Sequence, residues 1–217
     1  EATRKLQEAY AAPIRPDLIT ERLAQIREAG VVVAGSLTPQ NTQEFYRTVV
    51  AAGVDLFVIR GTTVSAEHVS SHAEPLNLKR FIYELDVPVI VGGAAGYTPA
   101  LHLMRTGAAG VIVGAGVTTN AETVGIDSAM GTAIADAAAA RRDYLDETGG
   151  RYVHIIADTE FENSGNIAKA FACGADGVAL GPLLAQAREA GGADAGRAHP
   201  SSAHTGPARP DERGTLR

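Results

Sequence analysis

The chain is poor in cysteine, in clustered basic residues and in long apolar runs. Its single cysteine excludes an internal disulfide framework and fits a reducing cytosol, so we expect a cytoplasmic protein. The net charge of −6 comes without a basic cluster, which argues against nucleic-acid binding. No apolar run approaches the roughly 20 residues that cross a bilayer, and the polar first residues do not resemble a signal peptide. Neither a membrane span nor secretion is therefore expected.

Six short, mostly apolar runs recur along the 217 residues and stop at glycines or small polar residues. Near-continuous runs of Val, Ile and Ala are typical of parallel strands that are buried under helices. The stretches between the runs have helical patterns, and the length is enough for one domain with a sizeable core. We therefore predict an α/β fold with strands at Val31–Leu37, Asp55–Thr63, Pro88–Tyr97, Gly110–Val117, Tyr152–Asp158 and Gly177–Leu184.

Several of the predicted helices end at a glycine directly before the next strand. These glycines are Gly30, Gly53, Gly107 and Gly174. A left-handed helix stop, which glycine adopts without a steric penalty, explains this position. In parallel α/β folds, ligands bind at the carboxyl ends of the strands. This rule directs attention to the residues that follow each run.

The composition changes at about residue 191. The last 27 residues contain three prolines with scattered Ser, His and Arg, and almost nothing large and apolar. Such a segment buries too little surface to offset the entropy of ordering. We predict a folded unit over residues 1–190 and a disordered tail over residues 191–217. Because the chain does not begin with methionine, we also expect it to start inside a longer gene product.

Several segments resemble the IMP dehydrogenase/GMP reductase family, in order and over roughly residues 1–190, with its IMP dehydrogenase-related branch as the closest match. They are Glu74-Pro-Leu-Asn-Leu-Lys79, Glu84-Leu-Asp-Val-Pro-Val-Ile-Val-Gly-Gly93, Leu101-His-Leu-Met-Arg-Thr-Gly-Ala-Ala-Gly-Val-Ile-Val-Gly114, Thr132-Ala-Ile-Ala-Asp136, Ala140-Arg-Arg-Asp-Tyr-Leu-Asp-Glu-Thr-Gly-Gly-Arg-Tyr-Val-His154 and Ser164-Gly-Asn-Ile-Ala-Lys-Ala170 with Ala172-Cys-Gly-Ala-Asp176.

The resemblance implies part of a (β/α)8 barrel, because the chain matches barrel strands three to eight. Barrel closure links strand number, tilt and stagger. Six strands taken from an eight-stranded design leave two open edges, and open edges invite association. We therefore expect a curved sheet that is open or incompletely closed, or a chain that needs a partner.

The family's dehydrogenases use NAD and a cysteine that bonds to the purine carbon that is oxidised. The matching loop here is Gly114-Ala-Gly-Val-Thr-Thr119, which places Val117 at the cysteine position. A valine has no atom that attacks a purine carbon, so covalent catalysis loses its nucleophile. Thr119 either approaches a ligand or bonds its own backbone in a turn. Cys173 lies at a predicted helix end, and we expect it to be a small residue of the core and not a nucleophile.

The resemblance implies Asp-Gly-Gly after strand seven and Gly-Ser after strand eight, where the barrel binds phosphate. This chain has Asp158-Thr-Glu160 and Gly181-Pro182 instead. Asp158 keeps the carboxylate that holds ribose hydroxyls in relatives. Thr159 and Glu160 replace the two glycines after strand seven, and their side chains hinder a close approach of the backbone to a phosphate. The negative charge of Glu160 also repels a phosphate. Pro182 removes a backbone N–H that could donate to it. The helix start at Ser164-Gly165-Asn166 either binds an anion or is simply capped.

Further positions at the strand ends match the family's nucleotide site. Arg60 and Thr62 are the expected cofactor-binding residues. Arg60 either clamps a cofactor phosphate or pairs with a carboxylate such as Glu160. Glycines that allow close approach of a substrate are Gly92, Gly93, Gly114, Gly116 and Gly181, although tight barrel packing explains Gly92 and Gly93 equally well.

The resemblance implies an IMP dehydrogenase-type oxidoreductase of purine (guanine) nucleotide metabolism, impaired by the loss of the cysteine. It also implies NAD or NADP as cofactor, IMP or GMP as ligand, and a homo-oligomer, a tetramer in relatives. The alternatives are a GMP reductase-like enzyme, a non-catalytic nucleotide-binding or partner protein, and an inactive truncated product. No pair of His, Asp, Glu or Cys has metal-ligand spacing, so no metal is expected.

Overall fold

A computed structural model describes residues 2–61, 64, 76–114 and 128–185 of the chain. The strands are β1 Ala34–Leu37, β2 Leu56–Arg60, β3 Val89–Ala94, β4 Gly110–Val113, β5 His154–Ala157 and β6 Gly177–Val178. The helices are α1 Ala2–Tyr10, α2 Pro16–Glu28, α3 Pro39–Ala51, α4 Leu78–Glu84, α5 Tyr97–Arg105, α6 Met130–Thr148, α7 Ser164–Ala172 and α8 Pro182–Ala185.

The six strands form one parallel sheet whose spatial order is the order along the chain, β1 to β6. Helices connect successive strands, as parallel pairing requires. Among the described residues, β1 and β6 each have one unpaired edge. The expected open part of a (β/α) barrel is therefore confirmed, and all carboxyl ends of the strands meet at one edge of the sheet.

Side chains alternate between two faces of the sheet. Those that face the helices, such as Phe57, Ile59 and Ile155, are completely buried. Those between them, such as Val58 and Ile156, are only half-buried and line the other, concave face. Because both faces carry apolar residues, the strands appear in the sequence as continuous apolar runs and lack the polar alternation of a half-exposed sheet.

The glycines that end the helices have the left-handed backbone that was predicted. Gly53, Gly107 and Gly174 have φ angles of +79°, +98° and +111°. Each one turns the chain at the amino end of a strand, where a residue with a Cβ would be strained. The fourth, Gly30, has φ +73°.

Two aspartates join neighbouring units at this amino edge. Asp55 accepts a hydrogen bond from the Val33 N–H at 2.8 Å and pairs with Arg27 at 3.2 Å. Asp176 repeats the arrangement with the Ile155 N–H at 2.8 Å and with Arg141 at 2.5 Å. We call Asp55 and Asp176 the amino-edge carboxylates, since each one accepts from a backbone N–H at the amino end of the neighbouring strand, at Val33 just before β1 and at Ile155 in β5.

The strands are shorter than the sequence predicted. β1 begins at Ala34, and the preceding Val31 and Val32 are 56% and 69% exposed. Apolar runs extend beyond the ladder because a valine contributes the same signal in a loop as in a strand. The tail over residues 191–217 lies outside the described residues. Among the described helices, none is both long and apolar enough to cross a membrane.

Candidate functional site

The carboxyl edge of the sheet carries a salt bridge across the concave face. Arg60 ends β2, and Asp158 directly follows β5. The Arg60 Nε lies 2.6 Å from the Asp158 Oδ2. Only 6% of the Asp158 side chain and 27% of the Arg60 side chain are exposed. A nearly buried carboxylate therefore faces the mouth of the half-barrel and is held there by a guanidinium.

The strand pattern explains why these two side chains meet. Arg60 shares its face with Val58, and Asp158 shares its face with Ile156, because side chains two residues apart lie on one side of a strand. Both faces are the concave one. The Asp158 N–H also donates to the Val113 carbonyl at 2.8 Å, so the main chain below the carboxylate is fixed by β4.

Arg60 pairs with a carboxylate, which was one of its two expected roles, but with a different carboxylate from the one given as the example. The sequence offered a phosphate clamp or a carboxylate such as Glu160 as its partner. Asp158 is the observed partner, and Glu160 is exposed. Glu160 lies two residues beyond Asp158 and outside β5, where strand alternation no longer directs its side chain to the concave face. The shared face with Val58 and Ile156 was the signal that could have identified the pair.

Gly114 lies directly against Asp158. It has φ +90°, and a Cβ at this position would collide with the Asp158 carbonyl and with the side chain of Met130. Its N–H donates to the Ala94 carbonyl at 2.8 Å. Two of the predicted site residues, Gly114 and Asp158, are thus in contact because one of them lacks a side chain.

Packing within the sheet accounts for Gly92. A Cβ there would collide with the main chain of Ile112 on the neighbouring strand. Gly93 is the extra residue of an irregularity, since Gly92 pairs with Ile112 and Ala94 pairs with Val113. The sequence left two explanations for these glycines, tight packing of the strands and close approach of a substrate. Strand packing explains Gly92, and a substrate role of Gly92 and Gly93 stays a prediction.

The residue that caps the helix after β5 lies one position before the expected cap. Asn163 is the capping residue, and its side chain accepts from the Asn166 N–H at 3.0 Å. The candidate at Ser164-Gly165-Asn166 is therefore the first turn of α7. Gly181 directly precedes α8 at the same edge of the sheet and is half-buried.

Other predicted site residues are not brought to this edge or lie outside the described residues. Val117, Thr119, Gly116 and Thr62 fall outside the described ranges. Cys173 follows α7 and precedes the glycine that leads into β6, and its thiol is partly buried against the core, near Gly131 in the first turn of α6. Within the described part of the chain, no group of three His, Cys, Asp or Glu side chains could hold a metal ion.

The chain matches known proteins over most of its length. The IMP dehydrogenase / GMP reductase domain family matches residues 21–199. A Mycobacterium tuberculosis (strain H37Rv) protein named as an uncharacterized oxidoreductase is 60% identical over 208 residues, which cover 92% of this chain and 56% of that protein. Inosine-5'-monophosphate dehydrogenase of Haemophilus influenzae is 32% identical over 181 residues, covering 82% of this chain and 34% of that enzyme.

A solved structure has the same fold. The crystal structure of an IMP dehydrogenase/GMP reductase-like protein from Corynebacterium glutamicum superimposes with a TM-score of 0.80 and is 60% identical. The match covers 87% of this chain and 50% of that one, so the chain spans about half the length of the Corynebacterium glutamicum protein and of the mycobacterial one, and about a third of the Haemophilus influenzae enzyme. By the domain match, by sequence identity and by fold, the chain belongs to the IMP dehydrogenase/GMP reductase family.

Proposed function

We propose that this chain forms the carboxyl-edge half of a purine ribonucleoside monophosphate site, for IMP or GMP, in an oxidoreductase. The observation that carries the proposal is the nearly buried Asp158 carboxylate, oriented by Arg60 at the mouth of the half-barrel. Membership of the family supports the ligand class. The oxidoreductase assignment of the mycobacterial relatives supports the reaction class.

Asp158 is proposed to bind the ribose hydroxyls of the nucleotide. A carboxylate accepts several hydrogen bonds, and a pair of neighbouring hydroxyls matches its two oxygens. The salt bridge to Arg60 holds the carboxylate in one orientation. Gly114 permits the close packing that places Asp158 there, so the proposal assigns Gly114 a supporting role.

The phosphate end of this site is proposed to be weak. Thr159 and Glu160 replace the two glycines of the family pattern, and Glu160 is exposed at the same edge with a charge of the wrong sign. Pro182 opens α8 without an N–H to donate. We therefore expect the nucleoside part to dominate affinity, with inosine binding nearly as tightly as IMP.

A non-catalytic nucleotide-binding role is the second candidate, and one observation favours it. Cys173 is the single cysteine of the chain, and its thiol lies between α7 and the start of α6, near Gly131, on the helix side of the sheet, whereas Asp158 faces the concave side. The family's covalent chemistry, for dehydrogenase and reductase alike, needs a thiol beside the purine. For the NAD or NADP expected from the family, the fit is poor among the described residues, since Arg60 is engaged with Asp158. We derive no step through this cofactor.

Calorimetric titration with IMP, GMP and inosine tests the binding proposal. Asp158→Asn keeps the shape of the side chain and removes its charge, so we expect at least tenfold weaker binding. Asp146→Asn, an exposed change on α6, is the matched control and should leave binding unchanged. Equal affinities for the wild type and Asp158→Asn would place the nucleotide elsewhere.

Absorbance of reduced nicotinamide separates the two candidate functions. Incubation with IMP and NAD should give a flat trace if this chain binds nucleotide without providing a nucleophile. Sustained reduction of NAD would instead establish dehydrogenase activity and overturn the non-catalytic role.

We also propose a homo-oligomer, because β1 and β6 present unpaired edges among the described strands. Native mass measurement tests this directly.

A further inference from the structure

A cleft of about 780 Å³ opens at the amino edge of the sheet, at the opposite end from Asp158. It lies between α4, the start of β3 and the end of α5. Four cationic side chains line it: Lys79, Arg80, Arg105 and Arg151. The single acidic residue among those that line it is Asp86, although the chain as a whole has a net charge of −6.

The cleft lies at one of three junctions with the same backbone geometry. In each, a glycine with positive φ is followed two residues later by an N–H that donates to the preceding strand at 2.8 Å. These donor and acceptor pairs are Asp55 with Val33, Asp176 with Ile155, and Ala109 with Val89. Ala109 therefore occupies the position of an amino-edge carboxylate.

An arginine completes each junction by donating to the glycine carbonyl. Arg27 donates to Gly53, Arg141 to Gly174 and Arg151 to Gly107. In the first two junctions the same arginine also pairs with the amino-edge carboxylate. At the third, Arg151 forms no ion pair with any carboxylate of the described residues.

The third junction consequently lacks an acceptor that the other two possess. The N–H groups of Val33 and Ile155 each donate to a carboxylate at 2.8 Å. No side chain of the described residues accepts from the equivalent Val89 N–H. Val89 is only 1% exposed and lines the cleft. A nearly buried backbone donor without a side-chain acceptor is unfavourable, and here it is next to an arginine.

We propose that this cleft binds a carboxylate side chain from an acidic peptide segment of a partner protein. The carboxylate accepts from the Val89 N–H and pairs with Arg151, as Asp55 and Asp176 do within the chain. Arg80 and Arg105 pair with Glu84 and Glu147, so the charge complementarity rests on Arg151 beside the Val89 N–H. Beside the cations, the cleft offers apolar side chains such as Ile82 and the 90% exposed Tyr83. Tyrosine and arginine are enriched where proteins bind one another.

Two matched peptides test the proposal by nitrogen–proton NMR on the purified protein. The probes are acetyl-Leu-Glu-Leu-amide and acetyl-Leu-Gln-Leu-amide, with sodium acetate as a third titrant. We expect the Glu peptide to shift the Val89 amide signal in a saturable way and the Gln peptide to bind at least tenfold more weakly. If acetate binds as tightly as the Glu peptide, the ligand is a small carboxylate and the peptide part of the proposal is wrong.

Variants connect the shift to the junction. Ala109→Asp should provide the missing carboxylate from within the chain. It should therefore raise the melting temperature and weaken the binding of the Glu peptide at least tenfold. Arg151→Met should weaken the binding of the Glu peptide to a similar extent, whereas Arg142→Met, an exposed change on α6, should leave this binding unchanged. Unchanged peptide binding in Ala109→Asp would overturn the proposal. None of these residues contacts Asp158, so failure here leaves the nucleotide site untouched.

Discussion

Arg60 and Asp158 are joined by a 2.6 Å contact although β3 and β4 lie between their strands in the sheet. A flat sheet would hold β2 and β5 roughly 14 Å apart, at about 4.8 Å for each strand step. Curvature brings the two carboxyl ends close enough for an arginine to span the concave face. The salt bridge is thus both part of the candidate site and a tie across the half-barrel.

Breaking this bridge should lower stability. Arg60→Met leaves a nearly buried carboxylate without its cation. We expect a loss of about 2–3 kcal/mol in the free energy of unfolding, because a fully buried pair costs about 3–5 kcal/mol to break and Arg60 is partly exposed. Urea unfolding measures this loss.

The double variant separates the pair from its surroundings. Arg60→Met combined with Asp158→Asn removes the stranded charge, so it should recover at least about 1 kcal/mol relative to the sum of the single variants. Strict additivity of the single effects would mean that the two residues do not stabilise each other.

Gly114 gives a second prediction, with Gly149 as its matched control. Both have positive φ, +90° and +70°, but a Cβ at Gly149 would meet no atom within 4 Å. Gly149→Ala should cost about 1–2 kcal/mol from backbone strain alone. Gly114→Ala should cost about 1–3 kcal/mol more, because the new methyl group displaces the Asp158 main chain.

Nucleotide affinity distinguishes the two glycine variants further. Gly149→Ala should bind IMP like the wild type, and Gly114→Ala should bind more weakly because Asp158 moves. If both variants lost the same stability and bound equally, the close approach of Gly114 to Asp158 would have no functional consequence.

Much of the fold could be predicted from the sequence, because buried parallel strands and helix-stopping glycines are local signals. The runs around Val58 and Val111 placed β2 and β4 correctly, and Gly53 and Gly174 have the predicted left-handed backbone. Pairing of Arg60 with a carboxylate was one of the two predicted alternatives, but the sequence did not identify Asp158 as the partner, because this contact depends on sheet curvature, which no short window of sequence contains. The amino-edge carboxylates Asp55 and Asp176 were not predicted, although each of them lies two residues after a helix-ending glycine, Gly53 or Gly174.

Asp176 is expected to be the more important of the two amino-edge carboxylates. It accepts from the Ile155 N–H and from the Tyr152 hydroxyl, and it pairs with Arg141. Asp176→Ala should cost about 2–3 kcal/mol, since losing the acceptor of one buried N–H alone costs about 1–3 kcal/mol. Asp176→Asn keeps an acceptor and should cost less. Thermal unfolding ranks the two variants, and equal losses would show that the charge alone matters.

Tyr152 reports on the same contact. Burial, and then the hydrogen bond to Asp176, raises the pKa of the Tyr152 phenol. Asp176→Ala should lower that pKa toward its usual value without restoring it fully, because burial remains. Absorbance titration at high pH, with Tyr152→Phe to identify the signal, measures the change. A pKa that stays unchanged in Asp176→Ala would contradict the contact.

Asp55 predicts how stability depends on pH. The hydrogen bond from the Val33 N–H, followed by the one from Arg27, lowers the pKa of the Asp55 carboxyl in the folded protein. A carboxyl whose pKa is lower folded than unfolded stabilises the protein above the unfolded value, about 4, and this contribution disappears as the pH falls through the lower folded value. Asp55→Asn cannot titrate. Urea unfolding from about pH 6 to pH 2 should therefore show the wild type more stable than Asp55→Asn at pH 6, with the gap closing below about pH 4. A constant gap over that range would mean that the Val33 contact does not depend on the charge of Asp55.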